Sequence, residues 1–226
     1  MSEEDERQYG VARSVAFSDG VFGFAITLLI TTLPFTLDMP SSASNQQAVQ
    51  QLLNVLPQFY AYLFSFFMVG NYWVIHHRTF RKFINFDTPL LWINLVLLLF
   101  IAFLPFPTAL LGRYGLNAVI ITLYAATQAL ISLIYVIMEW YAVSHQLIAP
   151  PRDQKAIRYL YLRGLIPCAI FSLSCVLAFY STTLAKLAWV AIFVIRPIVL
   201  RKYRSVNVSS LTAKVTAEPG ENREHR

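Results

Sequence analysis

Charged residues are scarce in this sequence. Asp, Glu, Lys and Arg make up 13% of its 226 residues, whereas 57% are hydrophobic and the mean hydropathy is +0.53. Soluble globular domains carry about 25% charged residues, so this composition excludes an ordinary soluble domain. We therefore predict an all-α protein that crosses a membrane several times.

Enzyme motifs are missing as well. The sequence contains no HExxH zinc motif, no P-loop and no dinucleotide-binding glycine pattern. His76 and His77 are adjacent and would point about 100° apart on a helix, which disfavours joint metal ligation. We expect no enzymatic activity, no catalytic residues, no cofactor, no metal site and no small-molecule substrate.

Six apolar stretches are long enough to cross a bilayer, which takes about 20 residues of helix. They cover residues 12–34, 55–77, 88–111, 116–143, 158–180 and 184–203. Residues 1–204 are thus predicted to form one six-helix transmembrane domain. Residues 205–226 are polar and poor in apolar side chains, and we predict a disordered cytoplasmic tail.

The basic residues orient these helices. The net charge of the chain is +6. Its Lys and Arg residues fall between the apolar stretches and in the tail rather than in one patch, which argues against a nucleic-acid partner. Seven of the 18 basic residues lie in the second and fourth connections or beside them: Arg78, Arg81, Lys82, Arg152, Lys155, Arg158 and Arg163. Arg113 and Lys186 are alone in theirs. Positive-inside counting therefore predicts that both termini are cytoplasmic.

The first apolar stretch, RSVAFSDGVFGFAITLLIT, carries two charges, Arg13 and Asp19. Phe24, Leu28 and Thr31 recur at i, i+4 and i+7 and are therefore predicted to share one helical face, with Thr27 beside it. Gly20 and Gly23 are small enough to let a neighbouring helix come close.

Several motifs occur together in the first half of the chain. They are Arg13-x-x-x-Phe17-Ser18-Asp19-Gly20 with VFGFAITLLI after it, Trp73-x-x-His76-His77, Trp92-x-Asn94 and FLPFPT at 103–108. In this order they resemble the lysosomal-type potassium channel family, the transmembrane protein 175 family, in its single-repeat prokaryotic form. The resemblance is dense as far as Thr108.

The resemblance implies a homotetrameric, potassium-selective cation channel that conducts K⁺ passively, with the first helix of each subunit lining the pore. No TVGYG-type filter is present. By similarity, Phe24, Leu28 and Thr31 form narrow rings, and the Thr27 hydroxyl faces the ion. The family usually has branched aliphatic residues at the first and third ring positions, and Phe24 and Thr31 depart from that. The alternative is that this face packs on a neighbouring helix.

The resemblance also implies a hydrogen-bonded collar that holds the pore helix near the cytoplasm. Its members are the charged, aromatic and polar residues of the motifs: Arg13, Phe17, Ser18, Asp19, Gly20, Trp73, His77 and Asn94, with His76 as a further donor or acceptor. A proton relay through Asp19 and His77 is the alternative, because histidine titrates in the physiological range.

Two other functions stay open. A proton-coupled secondary transporter or proton-conducting protein is one, although transporters tend to show paired repeats and ionisable residues at mid-membrane, where this chain has almost none. A non-conducting membrane scaffold is the other. For the channel, the expected partners are the lipid bilayer of a prokaryotic plasma membrane and further copies of the chain.

Overall fold

A computed structural model describes residues 3–34, 40, 42–84, 86–148 and 154–204, which are almost entirely helical. The helices within these ranges are α1 (Glu3–Leu28), α2 (Asn45–Phe80), α3 (Thr88–Phe103), α4 (Pro105–Tyr114), α5 (Ala118–Ser144), α6 (Gln154–Tyr180) and α7 (Thr182–Arg204). The predicted tail at 205–226 lies outside the described residues, as does part of the predicted fourth connection.

Five of the described helical segments are long and apolar enough to cross a membrane. They are Ala12–Thr32, Asn45–Phe80, Thr88–Tyr114, Ala118–Ser144 and Tyr161–Tyr180. These segments match the first five predicted spans and confirm an all-α, multi-pass membrane fold. Helix α7 covers the predicted sixth span, but its described apolar part, Thr182–Ile192, is shorter than a bilayer requires. The sixth crossing stays a prediction.

The third predicted span is one helix in the sequence and two in the structure. Helix α3 ends at Phe103 and α4 begins at Pro105, because the proline has no N–H to continue the helical hydrogen bonds. The Leu104 N–H bonds instead to the Ile101 carbonyl at 3.2 Å, which closes a tighter turn. The FLPFPT motif is therefore a kink within the span.

Helix α2 begins ten residues earlier than predicted because a polar cap starts it. The Ser44 hydroxyl accepts from the Gln47 N–H at 3.3 Å, and the Ser44 N–H donates to the Gln47 side chain at 2.8 Å. This reciprocal pair is a capping box, which satisfies two free N–H groups at the helix start. The polar segment after Asn45 therefore extends the helix beyond its apolar part.

The helices pack so that α5 lies centrally, against α3, α4 and α6, while α1 packs on α2 and α3 and α7 packs on α6. Tyr72, Tyr124 and Phe22 are among the largest fully buried side chains between them. One antiparallel β-bridge joins Phe83 to Ile148, with the Ile84 N–H donating to the Leu147 carbonyl at 2.9 Å. This bridge ties the α2–α3 connection to the end of α5.

Candidate ion pathway and its supporting network

Helix α1 has one buried face and one exposed face. The buried face consists of residues spaced at i, i+4, i+7 and i+11: Ser18, Phe22, Ala25 and Leu29. On the opposite face Phe24 is 67% exposed, and Thr27 and Thr31 are exposed as well. Leu28 is half-buried at the border. The face predicted to line a pore is thus the side of α1 that its own subunit leaves uncovered.

The last turn of α1 changes the geometry expected from the sequence. The α-helix ends at Leu28, and Leu29–Thr32 form a 3₁₀ turn. A 3₁₀ helix has three residues per turn, so Thr31 stands almost directly above Leu28 rather than about 60° around the helix from it. The angle between Phe24 and Thr31 around the helix therefore differs from the one that an uninterrupted α-helix would give. Both residues are still on the exposed side.

The threonine hydroxyls on this side bond to the backbone of their own helix. Thr27 Oγ1 lies 2.9 Å from the Phe24 carbonyl and 3.1 Å from that of Gly23, and Thr31 Oγ1 lies 2.7 Å from the Leu28 carbonyl. A hydroxyl that donates its proton to a carbonyl keeps two lone pairs for other partners. Thr27 and Thr31 thus present oxygen acceptors on an exposed face, which is the ligand type that hard cations prefer.

A buried chain of hydrogen bonds links α1 to α2 and α3. Ser18, which is 0% exposed, donates to the Ser14 carbonyl at 2.8 Å and accepts from Asn94 Nδ2 at 3.0 Å. The Asn94 carbonyl oxygen lies 3.0 Å from His76 Nε2, so His76 donates through Nε2. His76 Nδ1 is buried and is the one side-chain polar atom without a hydrogen-bond partner among the described buried ones.

His76 is also held by rings. Its imidazole stacks on Phe80, with 3.9 Å between centroids, and lies 5.3 Å from the ring of Phe22 on α1. The collar was predicted to contain His77, with His76 as a further donor or acceptor, and His76 is the histidine that bonds Asn94. His76 and Phe80 are one turn apart on α2 and share a face, which allows their rings to stack.

A second, more exposed contact fixes the charged end of α1. The Trp73 indole N–H donates to Asp19 Oδ1 at 2.8 Å, and the imidazole of exposed His77 stacks on the same indole at 5.8 Å between centroids. Asp19 is therefore paired with a neutral donor of α2. The structure brings Asp19 and Trp73 together as the collar requires, and the relay through Asp19 and His77 stays a prediction.

The other residues of the α1 motif lie on its outer side. Phe17 is 57% exposed, and Arg13 and Gly20 are exposed. Apart from the nearby backbone of α1 itself, no heavy atom of the described residues lies within 4 Å of a Cβ placed on Gly20 or Gly23. The close helix contact expected at these glycines is therefore not made within the subunit.

The sequence analysis missed a buried polar spine, a chain of side-chain hydrogen bonds that runs between α2, α4 and α5. Its links, in order, are Thr108 to Ser65 at 2.8 Å, Ser65 to Tyr124 at 2.9 Å, Gln128 to Tyr124 at 2.7 Å and Tyr72 to Gln128 at 2.8 Å. The sequence signal was a polar stripe of period seven on α2, formed by Ser65, Tyr72 and Thr79. The mean hydropathy of a helix does not reveal such a stripe, because the apolar residues around it dominate the average.

The spine leads toward a buried ion pair. Arg163 of α6 pairs with Glu139 of α5, and both side chains are less than a tenth exposed. Arg163 Nη2 also donates to Thr79 Oγ1 at 2.9 Å, so three helices meet at this pair. The sequence had suggested only that Arg163 lies near the cytoplasmic side.

No group of three His, Cys, Asp or Glu residues capable of holding a metal occurs in the described ranges. Most polar side-chain atoms of the collar and the spine are hydrogen-bonded to one another. The hydroxyl oxygens of Thr27 and Thr31 lie on the side of α1 that faces outward from the bundle.

Comparison with known proteins identifies the family. The model of the family described as "Endosomal/lysosomal potassium channel TMEM175" matches residues 13–105, beginning at the arginine of the α1 motif. A potassium channel from Streptomyces collinus is 31% identical over 182 residues, which are 78% of this chain and 86% of that protein. A zebrafish relative named as an endosomal/lysosomal proton channel is 26% identical over 151 residues, 67% of this chain and 28% of its own length.

A solved structure shares the fold. The crystal structure of a lysosomal potassium-selective channel TMEM175 homologue from Chamaesiphon minutus aligns with a TM-score of 0.71 at 26% identity, over 87% of this chain and 99% of that one. The similarities to the Streptomyces and Chamaesiphon proteins cover most of both chains in each pair. The chain therefore belongs to the TMEM175 family, a family of ion channels and not of enzymes.

Proposed function

We propose that this chain forms a channel that conducts K⁺ passively through a pore lined by α1 from several subunits. The observation that carries the proposal is the division of α1 into a face buried in its subunit and an uncovered face with Phe24, Thr27 and Thr31. The identity of the ion is inferred from the names of the Streptomyces and Chamaesiphon relatives, which are described as potassium channels. Selectivity for K⁺ over Na⁺ comes from this face.

The pore needs several copies of α1, because one helix cannot enclose a path for ions. We propose a homotetramer in a prokaryotic plasma membrane, with both termini in the cytoplasm. The sixth predicted crossing supports this orientation, since an even number of spans returns the chain to its starting side. The basic residues of the α2–α3 connection, such as Arg78 and Arg81, support it through the positive-inside rule.

Two kinds of ring would act in series along the pore. Phe24 and Leu28 supply apolar rings, which hinder ions by excluding water from a narrow passage. Thr27 and Thr31 supply hydroxyl oxygens that replace part of the water lost there. The collar of Ser18, Asn94, His76, Asp19 and Trp73 holds the helix that carries both.

The test is flux from the purified protein in liposomes under a K⁺ gradient, with reversal potentials measured under K⁺ and Na⁺. We expect K⁺ flux that grows with the gradient and does not require a counter-ion. Leu28→Lys places a cation on the proposed pore face and should abolish flux with the oligomer intact. Tyr180→Lys, at the highly exposed end of α6, is the matched control. Saturable flux strictly coupled to protons would identify a transporter instead.

Proton conduction is the second candidate, favoured by the name of the zebrafish relative. A pH-sensitive dye trapped in the same liposomes distinguishes the two. Proton flux without K⁺ flux, in a preparation where Leu28→Lys blocks it, would replace the potassium proposal. Proton flux that survives Leu28→Lys would place the proton path outside the α1 face.

A further inference from the structure

A cavity of about 970 Å³ opens where α2 and α7 begin and α4 ends. Its apolar wall includes Phe64, Leu111 and Trp189, and its rim includes Tyr60 and Tyr114. Tryptophan and tyrosine are enriched where a membrane meets water, because their rings have an apolar body and a polar tip. The cavity thus lies at one membrane edge and reaches into the apolar part of the bundle.

The two isolated cations of the chain meet at this cavity. Arg113 comes from the end of α4 and Lys186 from the first turns of α7, and both line it. They are the only Lys or Arg residues in or directly beside the connections predicted to face outward. Lys186 Nζ donates to the Gly115 carbonyl at 3.1 Å, and the Arg113 guanidinium lies 6.0 Å from the Tyr114 ring centre.

These charges have no acidic counterpart in the cavity. The described residues that line it include no Asp or Glu. The sequence offers one carboxylate in the outward connections, Asp38, so a second copy of the chain would bring little negative charge to this edge. An occupant that complements the cavity must be anionic at the rim and apolar inside.

We propose that the cavity binds an anionic membrane phospholipid, with its phosphate between Arg113 and Lys186 and an acyl chain along Phe64 and Trp189. The anionic headgroup and the acyl chain of such a lipid match the two parts of the cavity. A free phosphate would leave the apolar wall unused. A zwitterionic lipid would bring its own cation toward Arg113 and Lys186, which repel it. The bound lipid would join α2, α4 and α7.

The test uses the purified full-length chain, stripped of lipid in mild detergent and then mixed with phosphatidylglycerol or phosphatidylcholine. Native mass spectrometry counts the lipids retained. We expect retention of phosphatidylglycerol over phosphatidylcholine, and about fivefold weaker binding for each of Arg113→Gln and Lys186→Gln, the loss of one charge at a lipid surface. Val190→Trp keeps both cations and fills part of the cavity wall, and it should weaken binding as well.

The matched control is Arg78→Gln, which removes an exposed cation from the last turn of α2, away from the cavity. It should leave retention unchanged. Equal loss in Arg78→Gln would mean attraction to general positive charge, and equal retention of phosphatidylcholine would remove the anionic headgroup from the proposal. Unchanged lipid retention in the Arg113→Gln/Lys186→Gln double variant, with an altered oligomer, would assign the cavity to a neighbouring subunit. Each of these results overturns the proposal, and none depends on ion conduction.

Discussion

Leu28 and Ile26 stand two positions apart on α1 but have different surroundings. Leu28 borders the uncovered face, whereas Ile26 packs against the hydrophobic core from about 160° around the helix. Truncation at the two positions therefore separates the effect of a wider pore from the effect of a smaller α1 side chain.

We expect Leu28→Ala to raise single-channel conductance and to admit Na⁺ more readily, because a smaller side chain widens the apolar ring. Ile26→Ala should lower thermal stability but leave the conductance of each channel unchanged. Planar-bilayer recordings of both variants provide the measurement. Equal increases in conductance at the two positions would mean that the pore lies on another face.

Thr27→Val keeps the size of the side chain and removes the hydroxyl. We expect the preference for K⁺ over Na⁺ to fall, because the lone pairs that Thr27 presents on the uncovered face are lost. Thr32→Val is the control: its hydroxyl makes the same kind of bond, to the Leu29 carbonyl at 2.7 Å, but the residue is half-buried. Reversal potentials under bi-ionic conditions report the difference. An unchanged value in Thr27→Val would leave selectivity to the apolar rings.

Two of the hydrogen bonds that join α1 to its neighbours differ in burial: Ser18 to Asn94 is buried, and Asp19 to Trp73 is partly exposed. Asn94→Leu removes the buried one, takes away the acceptor of His76 Nε2 and leaves the Ser18 hydroxyl with only its bond to the Ser14 carbonyl. We expect a loss of about 1–3 kcal/mol in the free energy of unfolding. Trp73→Phe removes only the bond to Asp19, which water can replace, and should cost less. Thermal unfolding in detergent measures the stability of both variants. Equal losses of stability in Asn94→Leu and Trp73→Phe would contradict this prediction.

The pair of Glu139 and Arg163 joins α5 to α6. Replacing one partner leaves a buried charge alone, so Glu139→Gln and Arg163→Gln should each cost about 3–5 kcal/mol. The double variant should cost less than the sum of the two, because it leaves no unpaired charge. Unfolding of all three variants tests this coupling. Additive losses would show that the two side chains act independently in the protein.

Hydropathy predicted the first five membrane spans well because it reports which stretches avoid water. It did not predict the kink at Leu104 or the 3₁₀ turn after Leu28, where local backbone hydrogen bonds decide the geometry. The pairing of Glu139 with Arg163, and of His76 with Asn94, depends on helix packing between residues distant in the sequence. The spacing within α1 did indicate which of its faces is uncovered, although the role of that face in conduction stays a prediction.

The glycines of α1 bear on how subunits assemble, because each has open space around it within one subunit. We expect the purified protein to be a tetramer in mild detergent. Gly23→Leu should weaken it if neighbouring helices approach there, since small residues allow close contact. Gly10→Leu, also open in the subunit, is the control near the start of α1. Mass measured by light scattering reports the result. A wild-type monomer that still conducts would contradict the assembly.

The buried pair of Glu139 and Arg163 also bears on how the chain is synthesised. Helix α5 leaves the ribosome before α6, and during that interval Glu139 has no guanidinium to face. A charged residue within a membrane helix carries a penalty, which falls when a counter-charge arrives. The two helices should therefore enter the bilayer as a hairpin. A chain that inserted α6 upside down would carry Arg163 to the opposite membrane edge, so the pair selects against that topology during biogenesis.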